Sequence, residues 1–145
     1  MAFTPCPCGR TQPAARHARP LAWAECCGRY LDAAPASPSL PAPDAESLMR
    51  SRYSAFVRGN AAYLQATWHA STRPAHVPID PQTRWLGLQV RAHRLVDADH
   101  AEVEFIARHR TGGSGPASGR AARLHERSRF VREGGRWYYV DGDAL

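Results

Sequence analysis

Four cysteines carry the most definite chemistry in this 145-residue chain: Cys6, Cys8, Cys26 and Cys27, all within its first 27 positions. They come as Cys6-Pro7-Cys8 and as an adjacent pair, Cys26-Cys27. Thiolates are soft ligands, and four of them complete the tetrahedral shell of structural zinc. Cys-x-Cys brings two sulfurs to one ion across a tight turn, and Gly9 lets the backbone fold around them. Neighbouring cysteines supply two more where a turn or helix start splays their side chains. Such a shell is closed, so the one zinc per chain expected here is structural, not catalytic. It carries two net negative charges, which takes the formal charge of the chain from +6 to +4. Two other readings of the same residues stay open. One is four reduced thiols, some buried as small apolar groups. The other is an iron–sulfur cluster, although its usual cysteine spacings differ. The start of the chain, Met1 to Cys6, has neither the basic nor the apolar region of an export signal. A cytoplasmic, reducing compartment is therefore expected, and a disulfide framework is not.

The elements that must position these groups follow from pattern. Residues 33–43 read AAPASPSLPAP, an extended low-complexity linker. It divides a cysteine module (1–32) from a main domain (44–145). Asp44 has the character of an N-cap, and Leu48, Met49, Tyr53, Phe56 and Val57 recur at helical spacing up to Gly59, the expected C-terminal glycine. Asn60 caps a second helix with Tyr63, Leu64, Thr67 and Trp68 on one face. Three prolines between Ser71 and Thr83 make a loop. Leu86, Leu88, Val90 and Ala92 then alternate with Gly87, Gln89, Arg91 and His93, and Ala101, Val103 and Phe105 alternate likewise. The segment 112–119 reads as a hairpin loop, and Glu133-Gly134-Gly135 turns a second hairpin between Leu124–Arg132 and Arg136–Val140. Helices followed by about four antiparallel strands make an α+β domain.

Composition narrows the function. Hydrophobic residues are 43% and charged residues 22%, a globular balance with no apolar run long enough to span a membrane. All 19 basic residues are arginine. Arginine suits acidic partners and nucleic acid, but here it is scattered along the chain, so RNA binding is the weakest of the readings considered. There is no phosphate-binding glycine loop, no nucleophile elbow and no HExxH. Asp141-Gly142-Asp143 is a turn rather than a calcium loop. An enzyme is therefore not the favoured expectation.

Two stretches carry a family resemblance. Cys6-Pro7-Cys8-Gly9 with Trp23-Ala24-Glu25-Cys26-Cys27-Gly28 resembles the SEC-C motif, a zinc knuckle known from the tail of the bacterial preprotein translocase motor. The usual motif has a much shorter middle. Gln12 to Leu21 is an Arg/Pro/Ala-rich insertion, and loops lengthen at small entropic cost. Leu48 to Ser71 and Leu124 to Gly142 resemble the YchJ family of bacterial proteins, which has no assigned activity. Some of its members carry a second SEC-C motif at the C-terminus, whereas no cysteine follows Cys27 here. The resemblance implies a nuclear-transport-factor-2-like (cystatin-like) domain, in which a bent antiparallel sheet packs on helices, often leaving a pocket between them. It also implies chaperone or ribosome partners, since the translocase tail contacts these.

Candidate pocket residues are Arg52, Trp68, His69, Glu126, Ser128 and Arg129. Alternation puts Leu124, Glu126, Ser128 and Phe130 on one face of a strand, so Glu126 points inward. An inward glutamate is either paired, with Arg52 the expected partner, or a pocket acid with a raised pKa. His69 reads either as a helix-terminal histidine interacting with the dipole or as a pocket group. Tyr138, Tyr139, Trp137, Trp85 and Trp68 read mainly as core or sheet-face residues. Two functions follow. In the favoured one, the zinc knuckle is an interaction module whose Arg10, Arg16, Arg19 and Arg29 dock an acidic protein partner. In the other, the pocket serves a small-molecule binder or enzyme through Glu126, Ser128, His69 and Arg129.

Overall fold

The computed structural model describes residues 4–11, 19–32, 40–112 and 119–145. Most of the expected linker (33–39), of the insertion between the cysteine pairs (12–18) and of the loop at 112–119 (113–118) lies outside the described residues.

Capping chemistry sets the principal helix. The Asp44 carboxylate accepts from the Ser47 amide at 2.7 Å and opens α2 (Ala45–Arg58). Gly59, at φ 70°, ends it in the left-handed conformation that an L side chain resists. Asn60 then accepts from the Tyr63 amide and starts α3 (Ala61–Ala66). Before them lie a short 3-10 turn (Trp23–Glu25) and the single-turn α1 (Gly28–Leu31). No helix among the described residues is long and apolar enough to cross a membrane.

Four strands follow, β1 (Arg84–Asp97), β2 (His100–Arg110), β3 (Ala121–Glu133) and β4 (Arg136–Ala144), in one antiparallel sheet of that order. β2 and β3 pair without interruption, setting Phe105 opposite Glu126 and Val103 opposite Ser128. β1 is bulged three times against β2, and the β3–β4 ladder once, beside Arg129. Each bulge adds twist and bends the sheet. The bulges also overturn the alternation expected for β1. Between Trp85 and Gly87 the register shifts, so Leu86 is 45% exposed while Trp85, Leu88 and Val90 pack on the core. A second shift leaves Ala92 exposed. β1 and β2 also extend further than expected, meeting at a tight turn where Asp97 accepts from the Asp99 amide at 2.9 Å and contacts the His100 ring at 2.8 Å.

α2 crosses the sheet and meets β1, β2 and β4. Leu48, Met49 and Tyr53 pack there with Val103, Phe105, Phe130 and Trp137, each buried apolar side chain contributing about 1.5–3 kcal/mol. The cysteine segment joins this same core. Cys6, Cys8, Trp23, Cys26, Cys27 and Tyr30 are continuous with Ala45, Leu48 and Met49. The knuckle is thus seated on α2 rather than held away from it.

Candidate functional site

The N-terminal chain doubles back to gather its thiols. The Cys6 amide donates to Leu21 O (2.9 Å), the Leu21 amide to Arg10 O (2.8 Å) and the Trp23 amide to Thr4 O (2.8 Å). Gly9, at φ 75°, closes the Cys6–Cys8 turn, its amide donating to Cys6 O at 3.2 Å. Cys26 follows the 3-10 turn and Cys27 caps α1. All four cysteines are buried and unbridged, and their sulfurs lie within 4.8 Å of one another, Cys6–Cys8 and Cys8–Cys26 at 3.6 Å. Four thiolates around one ion at a Zn–S distance of about 2.3 Å stand about 3.8 Å apart. The donor set and spacing therefore suit a tetrahedral thiophilic metal.

Without an ion the thiols share protons. Hydrogen bonds from Cys26, Cys27 and Cys8 hold the Cys6 thiol far below its ordinary range. Those from Cys26 and Cys27 bring Cys8 to about 7. Cys27 is pushed up by its hydrogen bonds with Cys26, Cys6 and Cys8. Cys26 is lowered by Cys27 but raised more by Cys6 and Cys8 together with burial. Cys6, Cys8, Cys26 and Cys27 would hold a divalent cation here, which would displace the remaining protons and satisfy all four sulfurs at once.

The knuckle is fastened along one stripe of α2. Arg10 donates to Ser47 Oγ at 2.8 Å, Arg50 donates to Cys8 O at 3.1 Å, Cys6 Sγ lies 3.6 Å from Ser54 Oγ, and the Arg58 guanidinium stacks 3.9 Å from the Trp23 ring centre. Glu46 holds both Arg50 (2.9 Å) and Arg10 (3.9 Å). Positions 47, 50, 54 and 58 are the three- and four-residue steps of one helix face. The expected arginine docking face is correspondingly reduced. Arg10 is turned onto α2, and Arg29 donates to Cys26 O (3.0 Å) and stacks on Tyr30. Arg19 is exposed, and Arg16 lies outside the described residues.

Another stripe of α2, Met49, Arg52, Tyr53 and Phe56, walls a cavity of about 210 Å³ against the sheet. Trp68, Trp85, Phe105, Ala107, Leu124 and Tyr139 supply further apolar lining, with Trp68 edge-on to Tyr139 at 5.0 Å and Tyr53 edge-on to Trp85 at 5.7 Å. The polar lining is Arg52, Glu126 and Ser128. Arg52 is only 5% exposed. One terminal nitrogen donates to Leu64 O (2.8 Å) and Thr67 Oγ1 (2.7 Å), and the guanidinium sits 4.6 Å from the Tyr139 ring centre and 5.1 Å from that of Trp68. Burial lowers it to about 10, so it remains charged at neutral pH.

The expected Glu126–Arg52 ion pair is not formed. Leu64 and Thr67, at the end of α3, take one terminal nitrogen of Arg52 instead, and the Trp68 and Tyr139 rings lie beside the guanidinium. Glu126 has no hydrogen-bond or ion-pair partner among the described residues, and burial raises its carboxyl pKa. Ser128 is 1% exposed and its hydroxyl likewise has no hydrogen-bond partner among them.

Of the candidate pocket residues, Arg52, Trp68, Glu126 and Ser128 come together, while His69 and Arg129 do not line the cavity. Trp68 pairs with Tyr139 in an isolated bridge, and the next residue, His69, turns away to Glu133 (2.9 Å) and Ser71 (2.6 Å). It caps no carbonyl of α3. Arg129 lies on the other face of β3, paired with Asp141 (2.6 Å) and Asp143 (2.7 Å), whose hydrogen bonds, Asp143 first, raise its pKa. Sequence reasoning assigned Trp85 and Tyr139 to the core. The bulge at Leu86 is what turns Trp85 to the cavity, and only the pairing of β1 with β2 reveals it.

Comparison with known proteins agrees with this architecture. The family model described as "YchJ, middle NTF2-like domain" matches residues 44–142. A UPF0225 protein of Polaromonas sp. strain JS666 is 62% identical over 139 residues, spanning 96% of this chain and 92% of its own. One from Methylibium petroleiphilum is 56% identical over 140 residues, spanning 96% and 88%. The solution structure of a SEC-C motif containing protein from Rhodopseudomonas palustris superposes with TM-score 0.72 at 31% identity, covering 88% of this chain and 94% of that one. The crystal structure of another, from Psychrobacter arcticus, gives 0.73 at 32%, covering 94% and 80%. With its capped helix crossing a bulged four-stranded sheet and its four gathered thiols, the chain belongs to the YchJ family of UPF0225 proteins, and its domain from residue 44 onward is NTF2-like.

Proposed function

We propose that this protein binds a small organic ligand in the cavity between α2 and the sheet, and that one structural zinc, held by Cys6, Cys8, Cys26 and Cys27, fastens the knuckle that fixes α2 as the cavity's wall. The observation that carries the ligand reading is the lining itself. An apolar, aromatic cavity contains three polar side chains, Arg52, Glu126 and Ser128, and among the described residues no carboxylate pairs with Arg52. Buried polar groups are ordinarily satisfied within the fold. A few convergent ones in an apolar cleft are the usual make-up of a ligand site. The metal reading rests on four sulfurs within 4.8 Å and a closed thiolate shell, which offers no open coordination position.

The reading of the knuckle as a docking module keeps the same metal site but draws less support, because Arg10 and Arg29 are engaged within the chain. RNA binding draws less as well. Several sheet arginines already meet acids: Arg94 with Glu102, Arg129 with Asp141 and Asp143, and Arg132 with Asp99.

The test is a ligand-observed NMR screen of small fragments against the wild type and Ala107→Leu, which fills the cavity from β2. Fragments that bind the wild type and lose binding in the variant are expected. A screen without binders, or with binders indifferent to the filling, overturns the reading.

A further inference from the structure

Arg52 is the least explained residue of the cavity. Its two hydrogen bonds use one terminal nitrogen. Its Nε and its other terminal nitrogen have no hydrogen-bond partner among the described residues, although the side chain is buried. Among the described residues, no carboxylate lies within ion-pair distance of it. A guanidinium holds its donors in a rigid planar fork that matches a carboxylate, and a buried unpaired cation attracts an anion strongly because little water screens it. Resting on the ligand reading above, we infer that the occupant is a small flat carboxylate, an aromatic or unsaturated acid held at its acid end by Arg52.

The remaining features of the cavity fix the other properties of this ligand. Benzene occupies an engineered apolar cavity of about 150 Å³. The 210 Å³ here holds a six-membered ring with its carboxylate and one further substituent. The walls suit a flat body, for Trp68, Trp85, Tyr53, Phe56 and Phe105 present rings. Glu126 and Ser128, two residues apart on β3, offer polar contacts for a hydroxyl or carbonyl substituent. Burial raises the Glu126 carboxyl pKa, which favours its hydrogen-donating form beyond the range of a free carboxyl. A cationic ligand would meet Arg52 as a like charge. A phosphate dianion would need more than one cation and more donors than this lining holds.

The experiment uses the full chain with its metal as purified, and three probes that share one phenol ring: 4-hydroxybenzoate, 4-hydroxybenzamide and 4-hydroxybenzylamine. Binding is read by calorimetry and by the fluorescence of Trp68 and Trp85 in the cavity wall. The carboxylate is expected to bind saturably and at least about tenfold more tightly than the amide, with the amine weakest. Arg52→Lys, which keeps the charge but loses the fork, is expected to lose at least about tenfold in carboxylate affinity, with far-ultraviolet circular dichroism unchanged. Arg129→Gln, on the opposite face of β3 and away from the cavity, is expected to retain carboxylate binding. If Arg52→Lys fails to fold, the order of the three probes on the wild type decides. Amide binding equal to carboxylate, or amine binding tightest, overturns the carboxylate inference and leaves the ligand cavity standing. Failure of all three probes to bind overturns the inference, and the fragment screen with Ala107→Leu then decides the reading of the cavity beneath it.

Discussion

Gly28→Ala is a one-methyl probe of how tightly the four-cysteine centre is built. A Cβ at residue 28 would stand 2.5 Å from Trp23 O and 2.7 Å from Trp23 Nε1. A side-chain rotation relieves only the second clash. Trp23 O accepts from the Cys26 amide at 3.1 Å, the Trp23 amide is tied to Thr4 O, and the indole donates to Asp32 while Arg58 stacks on it. Relief must therefore come from the 3-10 turn that carries Cys26 into the centre. Overpacking costs about 1–3 kcal/mol. Losing the indole–carboxylate hydrogen bond adds about 1.5–3 kcal/mol. Alanine's better helix propensity returns at most about 1 kcal/mol, less at the first position of a one-turn helix. The net expectation is a loss of about 1.5–6 kcal/mol, or on the order of 5–20 °C in Tm for a chain of this size, with lower metal affinity. Thermal unfolding of wild type and variant, each with metal content determined, reads both. A variant with wild-type Tm and full metal refutes the argument that the Trp23 turn and Gly28 together define the centre.

The other perturbations test separate joints. Cys8→Ser is expected to lower metal content and raise hydrogen exchange before residue 32 and along the knuckle-facing stripe of α2 at 47, 50, 54 and 58, while the β2–β3 amides stay protected; unchanged metal content contradicts the ligand assignment. Glu126→Gln is expected to stabilise the protein near pH 8. A carboxyl whose pKa is raised in the fold adds stability that is complete below the unfolded pKa and lost as pH rises through the folded one. The amide escapes that loss, so the variant's advantage should shrink on acidification, and a variant less stable at pH 8 would show that Glu126 is paired after all. Asp44→Ala is expected to cost about 1 kcal/mol in chemical denaturation by leaving the Ser47 amide uncapped. No loss would mean that α2 is started by its packing alone.

Features carried by neighbouring residues were legible in the sequence. Asp44, Gly59 and Asn60 punctuate the helices by short-range hydrogen bonding and backbone conformation, which needs no knowledge of the fold. The thiols were legible as a set, since Cys-x-Cys and Cys-Cys are local motifs. Features decided by distant partners were not. Leu86 reads as a core residue until the β1–β2 pairing inserts a bulge and exposes it. Arg52 reads as a partner for Glu126 until α3 ends beside it and takes one of its terminal nitrogens. The proline-rich 33–43 segment reads as a spacer, yet Ser54 and Arg58 on α2 hold the knuckle against the domain. The outward direction of Arg129 followed from the same alternation that pointed Glu126 inward, so placing it in the pocket set it against its own strand. His69 was misplaced because Trp68 meets Tyr139 in a bridge that the helical pattern does not contain.

α2 serves as a shared wall, with the cysteine knuckle on one stripe and the cavity on another, and the proposed zinc is what would fasten the first. Native mass spectrometry of protein purified without added metal tests this most directly. One zinc per chain, retained until the thiols are alkylated, is the predicted result. A metal-free chain carrying four free thiols would contradict it, leaving Cys6, Cys8, Cys26 and Cys27 as buried apolar groups and α2 held by packing alone.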